Sequence, residues 1–220
     1  MITNTWQGYF LWVAVCCGGL LMALVGEYRS NATASMAGKL VAATAYIAAA
    51  LSLGAMNTAY GRMMLGGMGF CWLGDLFLVS RRRRILFLAG LASFLAGHVA
   101  YTVAFVVRGV DTAVVVITLA LMAVFAWRAV SWLYPHIDQR MRVPVWLYLA
   151  AISIMMVMAA GTHAFDHNAF ILSGALLFVI SDLAVARNRF VDPAFVNRAF
   201  GLPLYFTAQL LLAASVMIRA

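Results

Sequence analysis

Two acidic residues stand inside long apolar stretches of this chain: Asp75 in Leu73-Gly74-Asp75-Leu76 and Asp182 in Ile180-Ser181-Asp182-Leu183. An ionisable side chain within a hydrocarbon layer costs about 2.5–3.5 kcal/mol or more, so by default it marks a functional site. Asp75 lies six residues before Arg81, and Asp182 lies five before Arg187. At the helical rise per residue, each carboxyl is then roughly 8–9 Å from the same boundary. Two carboxyls at one depth suit acid–base chemistry, in which one delivers a proton while the other orients water and stabilises a cation. The structural alternative is an ion pair with Lys39 or an interhelical hydrogen bond.

Further polar groups fall near that level. Lys39, the single lysine, opens the second apolar stretch; Ser181 precedes Asp182, and Asn188 and Arg189 follow it; Tyr205 and Gln209 fall in the last stretch. His98 and Tyr101, three residues apart on one helical face, sit deeper. Together they are candidates to line a polar pocket that opens to the inner leaflet. Against this, Lys39 and Arg189 could snorkel to headgroups, and His98 could be a satisfied buried histidine. His163-x3-His167 with Asp166 has the spacing of a shared metal ligand pair, but it falls in an outer connection far from both aspartates and lacks an obvious third ligand. Neither a metal nor a cofactor is expected.

The elements that must position these residues are helices in a membrane. Of 220 residues, 65% are hydrophobic and 10% charged, against about a quarter charged in soluble domains. Apolar stretches long enough to span a bilayer fall near 6–26, 38–56, 62–80, 85–107, 112–133, 144–162, 168–186 and 203–218. The start of the last is the least defined. Runs such as Leu147 to Ala160 do not alternate, which excludes a β-barrel. The expected fold is an all-α, polytopic transmembrane bundle of about eight spans, residues 1–220 forming one integral membrane domain.

The net charge of +8 is scattered over short connections, so no nucleic-acid partner is expected. Counted in alternate connections, eleven Lys and Arg lie on one side (Arg29, Lys39, Arg81 to Arg84, Arg140, Arg142, Arg187, Arg189, Arg198) and three on the other (Arg62, Arg108, Arg219). The positive-inside rule makes the richer side cytoplasmic and places both termini outside. The Arg81 to Arg84 run reads first as a topology signal, and Trp6 and Trp132 as interface anchors. Residues Met1 to Gln7 carry no Lys or Arg, so the first stretch is expected to be a retained helix. Cys16, Cys17 and Cys71 suggest no disulfide or zinc pattern.

Small residues at helical spacing, as in Ala89, Ser93 and Gly97, or near Gly161, suit close helix packing. Gly66-x3-Phe70-x4-Asp75 and Gly174-x3-Phe178-x3-Asp182 share a pattern with a one-residue offset, which hints at a four-helix duplication.

The segments around these residues resemble the YhhN-like lysoplasmalogenase family of membrane hydrolases. The resemblance rests on Lys39-Leu40, Leu73-Gly74-Asp75, Gly97-His98-x2-Tyr101, the run from Gly174 to Asp182, Asn188-Arg189-Phe190 and Tyr205-x3-Gln209. Leu40 stands where the family often has proline. It implies hydrolysis of the vinyl ether bond of a lysoplasmalogen drawn from the inner leaflet, releasing a fatty aldehyde and glycerophosphoethanolamine or glycerophosphocholine. Asp75 and Asp182 would be catalytic, and Lys39, His98, Tyr101, Ser181, Asn188, Arg189, Tyr205 and Gln209 would bind substrate. Membrane lipids are the expected partners, and a bacterial cytoplasmic membrane the expected location.

Three rivals are weighed beside it. A proton- or ion-coupled transporter would use the same aspartates, but they lie near one surface and the spans lack paired Gly/Pro breaks. An intramembrane aspartyl protease would show Gly-x-Gly-Asp, whereas Trp72 stands three before Asp75. The third is a purely structural membrane subunit.

Overall fold

A computed structural model describes residues 2–78 and 84–217, with side chains from residue 6. Arg81 to Arg83 and Arg219, read above as topology signals, lie outside the described residues. Eight α-helices follow one another: α1 (Ile2–Tyr28), α2 (Ala32–Ser52), α3 (Ala59–Phe77), α4 (Arg84–Arg108), α5 (Thr112–Leu133), α6 (Gln139–Asp166), α7 (Ala169–Ala186) and α8 (Phe195–Ala214). The expected all-α membrane bundle is therefore present.

The helix starts have local causes. The side chains of Asn31, Thr58, Asp111 and Asn168 accept backbone N–H bonds from Ala34, Gly61, Val114 and Phe170 at 2.9–3.1 Å, which satisfies donors the first turn leaves open. Asn31 starts α2 six residues before the apolar stretch does, because the cap and not hydropathy sets the boundary. The chain reverses after α2 through Gly54, whose φ of +81° lies in the left-handed region that glycine tolerates. Pro203 lies inside α8, as neighbours in a membrane bundle allow.

Among the described residues, six helical segments are long and apolar enough to cross a membrane: Trp6–Tyr28, Ala32–Ser52, Arg84–Arg108, Thr112–His136, Gln139–Asp166 and Ala169–Val191. α3 and α8 are long enough but less apolar. α3 contains Arg62, Asp75 and five glycines, and α8 contains Asn197, Arg198, Pro203, Tyr205 and Gln209.

Neighbouring helices run antiparallel and close together. Along α3 and α4, Gly67 meets Tyr101, Cys71 meets Gly97, Gly74 meets Phe94 and Leu78 meets Gly90, so glycine on one helix repeatedly receives a larger side chain from the other. The seam of α1 and α2 is tighter. A Cβ on Gly38 would stand 2.4 Å from the Ala23 backbone nitrogen and 2.6 Å from the Gly19 carbonyl oxygen, so the two backbones touch, as small residues permit in lipid. α7 and α8 meet where Gly174 faces Leu212 and Gly201 faces Ala184. A continuous buried core joins α1, α2, α3, α4, α6, α7 and α8. By contrast, only Ala129 and Leu133 of α5 are buried.

At the end of the bundle where α4 and α6 terminate, Arg108 is ion-paired with Asp166, donates to the Ser215 carbonyl at 2.8 Å and lies over the Tyr60 ring. Asp166 also accepts the Asn168 backbone N–H. The carboxylate of the proposed metal triplet is thus engaged by arginine, and no group of three or more His, Cys, Asp or Glu suited to a metal occurs among the described residues.

The α1–α2 seam makes a direct prediction. Gly38→Ala, whose methyl group meets backbone on both sides, is expected to destabilise the protein by about 1–3 kcal/mol. Gly18→Ala, with nothing within 4 Å of its Cβ, is expected to be neutral or mildly stabilising. Thermal unfolding of both purified variants in one detergent checks the contrast.

Candidate active site

Asp75 falls in the last turn of α3, and Asp182 falls one turn before the end of α7. Both helices deliver their carboxyls to the same end of the bundle, where α2 and α8 begin. Both side chains line a single cavity of about 360 Å³. Its wall is otherwise mostly apolar, with Leu78, Phe87, Leu91, Phe94, Leu133, Val145, Leu149 and Ile152 among its lining. Size and lining match the usual small-molecule site, a concave apolar space of about 300–1,000 Å³ with a few polar groups.

Each carboxyl is held by a tyrosine from another helix. Tyr205 of α8 donates to Asp75 Oδ2 at 2.8 Å, and Tyr148 of α6 donates to Asp182 Oδ2 at 2.6 Å. The hydroxyl of Tyr205 has one hydrogen and two lone pairs, so its bond to Asp75 makes it an acceptor in its other contacts. Gln209 Nε2 donates to it at 3.4 Å, and the Tyr46 hydroxyl lies 3.3 Å away. Tyr101 in turn donates to Gln209 Oε1 at 2.7 Å. The donors therefore point in one direction, from Tyr101 through Gln209 and Tyr205 to Asp75, and such chains reinforce one another in a low-dielectric interior.

Seven of the ten residues singled out from the sequence line the cavity: Lys39, Asp75, Ser181, Asp182, Asn188, Arg189 and Tyr205. The Ser181 hydroxyl donates to the Phe178 carbonyl of its own helix. Asn188 and Arg189 reach the wall because α7 ends in a π-helical turn, Arg187–Val191, a widened turn frequent at functional sites. Arg189 lies 4.4 Å from the centroid of the Phe87 ring.

His98, Tyr101 and Gln209, expected on the pocket surface, are fully buried behind it. Tyr101 and Gln209 form the donor chain just described. His98 packs edge-on against Phe178 and Tyr148, with Nε2 3.8 Å from Asp182 Oδ2. Neither ring nitrogen has a hydrogen-bond partner among the described residues. Their depth is one reason for the difference: these side chains lie further along α4 and α8 from the end that the cavity occupies than the lining residues Phe94 and Tyr205 do.

Three contributors escape sequence reasoning. Tyr148 and Tyr46 are tyrosines in apolar helices and carry no spacing signal. Glu27 falls one residue beyond the first apolar stretch, so Asp75 and Asp182 pass for the sole buried acids. α1 in fact runs to Tyr28, and Glu27 is buried in its last turn. The signal that could have found it is the pairing of an acid at the end of one apolar stretch with Lys39 early in the next.

A second space of about 540 Å³ adjoins the cavity and shares Phe125, Ala129, Leu183, Ala184 and Asn197 with it. Its other lining residues come from α5, α7, the turn after α7, and α8, among them the exposed Val196 and Phe200.

Comparison with known proteins bears on this arrangement. The model of the YhhN family matches residues 34–216, a range that includes every residue of the cavity and donor chain named above, while Glu27 falls before it. The chain is similar to lysoplasmalogenase TMEM86A of Bos taurus, with 29% identity over 170 residues, and to lysoplasmalogenase TMEM86A of Homo sapiens, with 32% identity over 157 residues. Each match covers 69% of this chain and 63% of the relative, so the chain spans less than two thirds of the length of these curated relatives. No solved structure matches it significantly. On a family match that runs through both carboxyl-bearing helices and their tyrosine partners, the chain belongs to the YhhN family.

Proposed function

We propose that this protein is a lysoplasmalogenase-like hydrolase that cleaves the vinyl ether bond of a single-chain phospholipid. The observation that carries the reading is the pair of carboxyls from separate helices, each engaged by a tyrosine hydroxyl, on the wall of one apolar cavity. The names of the curated relatives support the same chemistry.

The reaction needs one acid and one anion. A carboxylic acid protonates the β-carbon of the vinyl ether, which turns the adjacent carbon into an oxocarbenium centre. The second carboxylate stabilises that cation and orients water toward it. Addition of water gives a hemiacetal, which collapses to a fatty aldehyde and glycerophosphoethanolamine or glycerophosphocholine, consuming one water overall. Asp75 and Asp182 supply the two carboxyls and act as a pair. Tyr205 and Tyr148 fix their orientation, with Tyr101, Gln209 and His98 supporting from behind the wall. Lys39, Ser181, Asn188 and Arg189 face the substrate.

The apolar wall suits the hydrocarbon chain. The adjoining space between α5 and α7–α8 offers that chain a route from the bilayer, because α5 presents most of its surface outward. The cation-rich end of the helices supports a reading in which the cavity opens at the inner leaflet of a bacterial cytoplasmic membrane.

Purified protein incubated with lysoplasmalogen is expected to release aldehyde, while the saturated ether analogue stays intact. Asp75→Asn and Asp182→Asn should each lower kcat by about 100-fold or more, and Tyr205→Phe or Tyr148→Phe by about tenfold. If both folded aspartate variants keep full activity, the carboxyl pair does not catalyse the reaction. Substrate flux in proteoliposomes without any hydrolysis would favour a transporter instead.

Protonation at carbon has its own isotopic signature. In deuterated water, aldehyde trapped at once by reduction should carry one deuterium on the carbon next to the former carbonyl, as read by mass spectrometry. Unlabelled product would exclude the β-carbon step.

A further inference from the structure

A second group of charges lies beside the carboxyl pair and is built on Glu27. Its side chain is only 2% exposed. Oε1 accepts from Ser35 Oγ at 2.7 Å and from Lys39 Nζ at 3.1 Å, while Oε2 faces Arg198 Nε at 3.3 Å. Three helices thus meet in one cluster: Glu27 from the end of α1, Ser35 and Lys39 from α2, and Arg198 from the first turn of α8. A buried carboxylate requires such partners, and stitching helices together would by itself explain a single ion pair.

Two features go beyond stitching. One negative charge on Glu27 stands against two positive charges on Lys39 and Arg198, leaving the three groups with one positive charge in excess. Both cations line the cavity, whereas Glu27 does not, so the cations stand between the glutamate and the space. A ligand that suits this wall carries one negative charge and several acceptor oxygens, which describes a phosphodiester.

We propose that Lys39 and Arg198, held from behind by Glu27, form a phosphodiester-binding subsite on the cavity wall. It rests on the hydrolase reading in one respect: anchoring the glycerophosphate end there would set the ether-linked carbons against Asp75 and Asp182. Glu27 is then a positioning residue, and the two cations discriminate lipids that carry a phosphate from those that do not.

The test uses the full chain in detergent micelles and two saturated ether lipids that cannot be cleaved, 1-alkyl-glycerophosphoethanolamine and the phosphate-free 1-alkylglycerol. Intrinsic fluorescence titrations are expected to show at least tenfold tighter binding of the phosphate-bearing lipid. Lys39→Gln and Arg198→Gln should each reduce that preference severalfold, and Lys39→Arg and Arg198→Lys should keep most of it. Equal affinity of the wild-type protein for the two lipids overturns the subsite, whether or not any variant folds. So does an unchanged preference in both glutamine variants. Inorganic phosphate that binds as tightly as the phospholipid would show a free-anion site and overturn the lipid assignment. Binding needs no turnover, so a retained preference in a protein that releases no aldehyde sinks the hydrolase reading alone.

Discussion

A carboxyl group carried into a bilayer must bring its hydrogen-bond donors with it, because hydrocarbon supplies none. The rest of this structure follows from that requirement. Asp75 and Asp182 belong to helices far apart in sequence, and each takes its donor from a third or fourth helix: Tyr205 of α8 and Tyr148 of α6. Each carboxyl meets its donor only where the bundle closes around it. Glu27 obeys the same rule at the end of α1, where Ser35, Lys39 and Arg198 converge on it from α2 and α8. Buried acids are therefore also the points at which separate helix pairs are joined.

The close seams make this convergence geometrically possible. Where Gly19 and Ala23 face Gly38 and Ala42, the backbones of α1 and α2 lie in contact, so the short reach from Glu27 to Ser35 and Lys39 is fixed by backbone and not by long side chains. On α3, Gly67 and Gly74 receive the rings of Tyr101 and Phe94. The first of these contacts holds the origin of the donor chain that ends on Asp75, and the second places a cavity-lining ring against the helix that carries Asp75. Glycine spacing and polar chemistry are thus one arrangement: the missing side chains on α3 are the spaces that α4 fills in order to support the site.

Much of this was legible in the sequence. Composition and apolar lengths gave the membrane bundle, and the shared depth of Asp75 and Asp182 brought them to one end, where one cavity contains both. Depth also predicted that Lys39, Asn188, Arg189 and Tyr205 would reach that cavity. Less legible was anything decided by which way a helix face points. His98 and Tyr101 share a face, as their spacing requires, but that face meets α6, α7 and α8 behind the wall. Apolar runs also misplace helix ends when a cap intervenes, as at Asn31, or when a helix outlasts its hydropathy by two residues, as at Glu27. Tyr148 could not be found at all, since tyrosine is as common a packing residue as a donor.

The two helices that fall short in apolarity, α3 and α8, contribute Asp75, Tyr205, Gln209 and Arg198, whereas α5, with only two buried residues, supplies cavity wall but no charged or hydrogen-bonding group to the site. This division has a physical reason. A polar residue facing lipid is unsatisfied, so helices rich in polar and small residues must be enclosed by more apolar ones. α3 lies against α2, α4 and α8, and α8 lies against α1, α2 and α7, which gives both helices protein neighbours on several sides. The outermost helix remains free of such demands and packs chiefly on α6. The polar side chains around the cavity thus sit on the enclosed helices, while the wall that α5 supplies belongs to a helix with most of its surface turned outward.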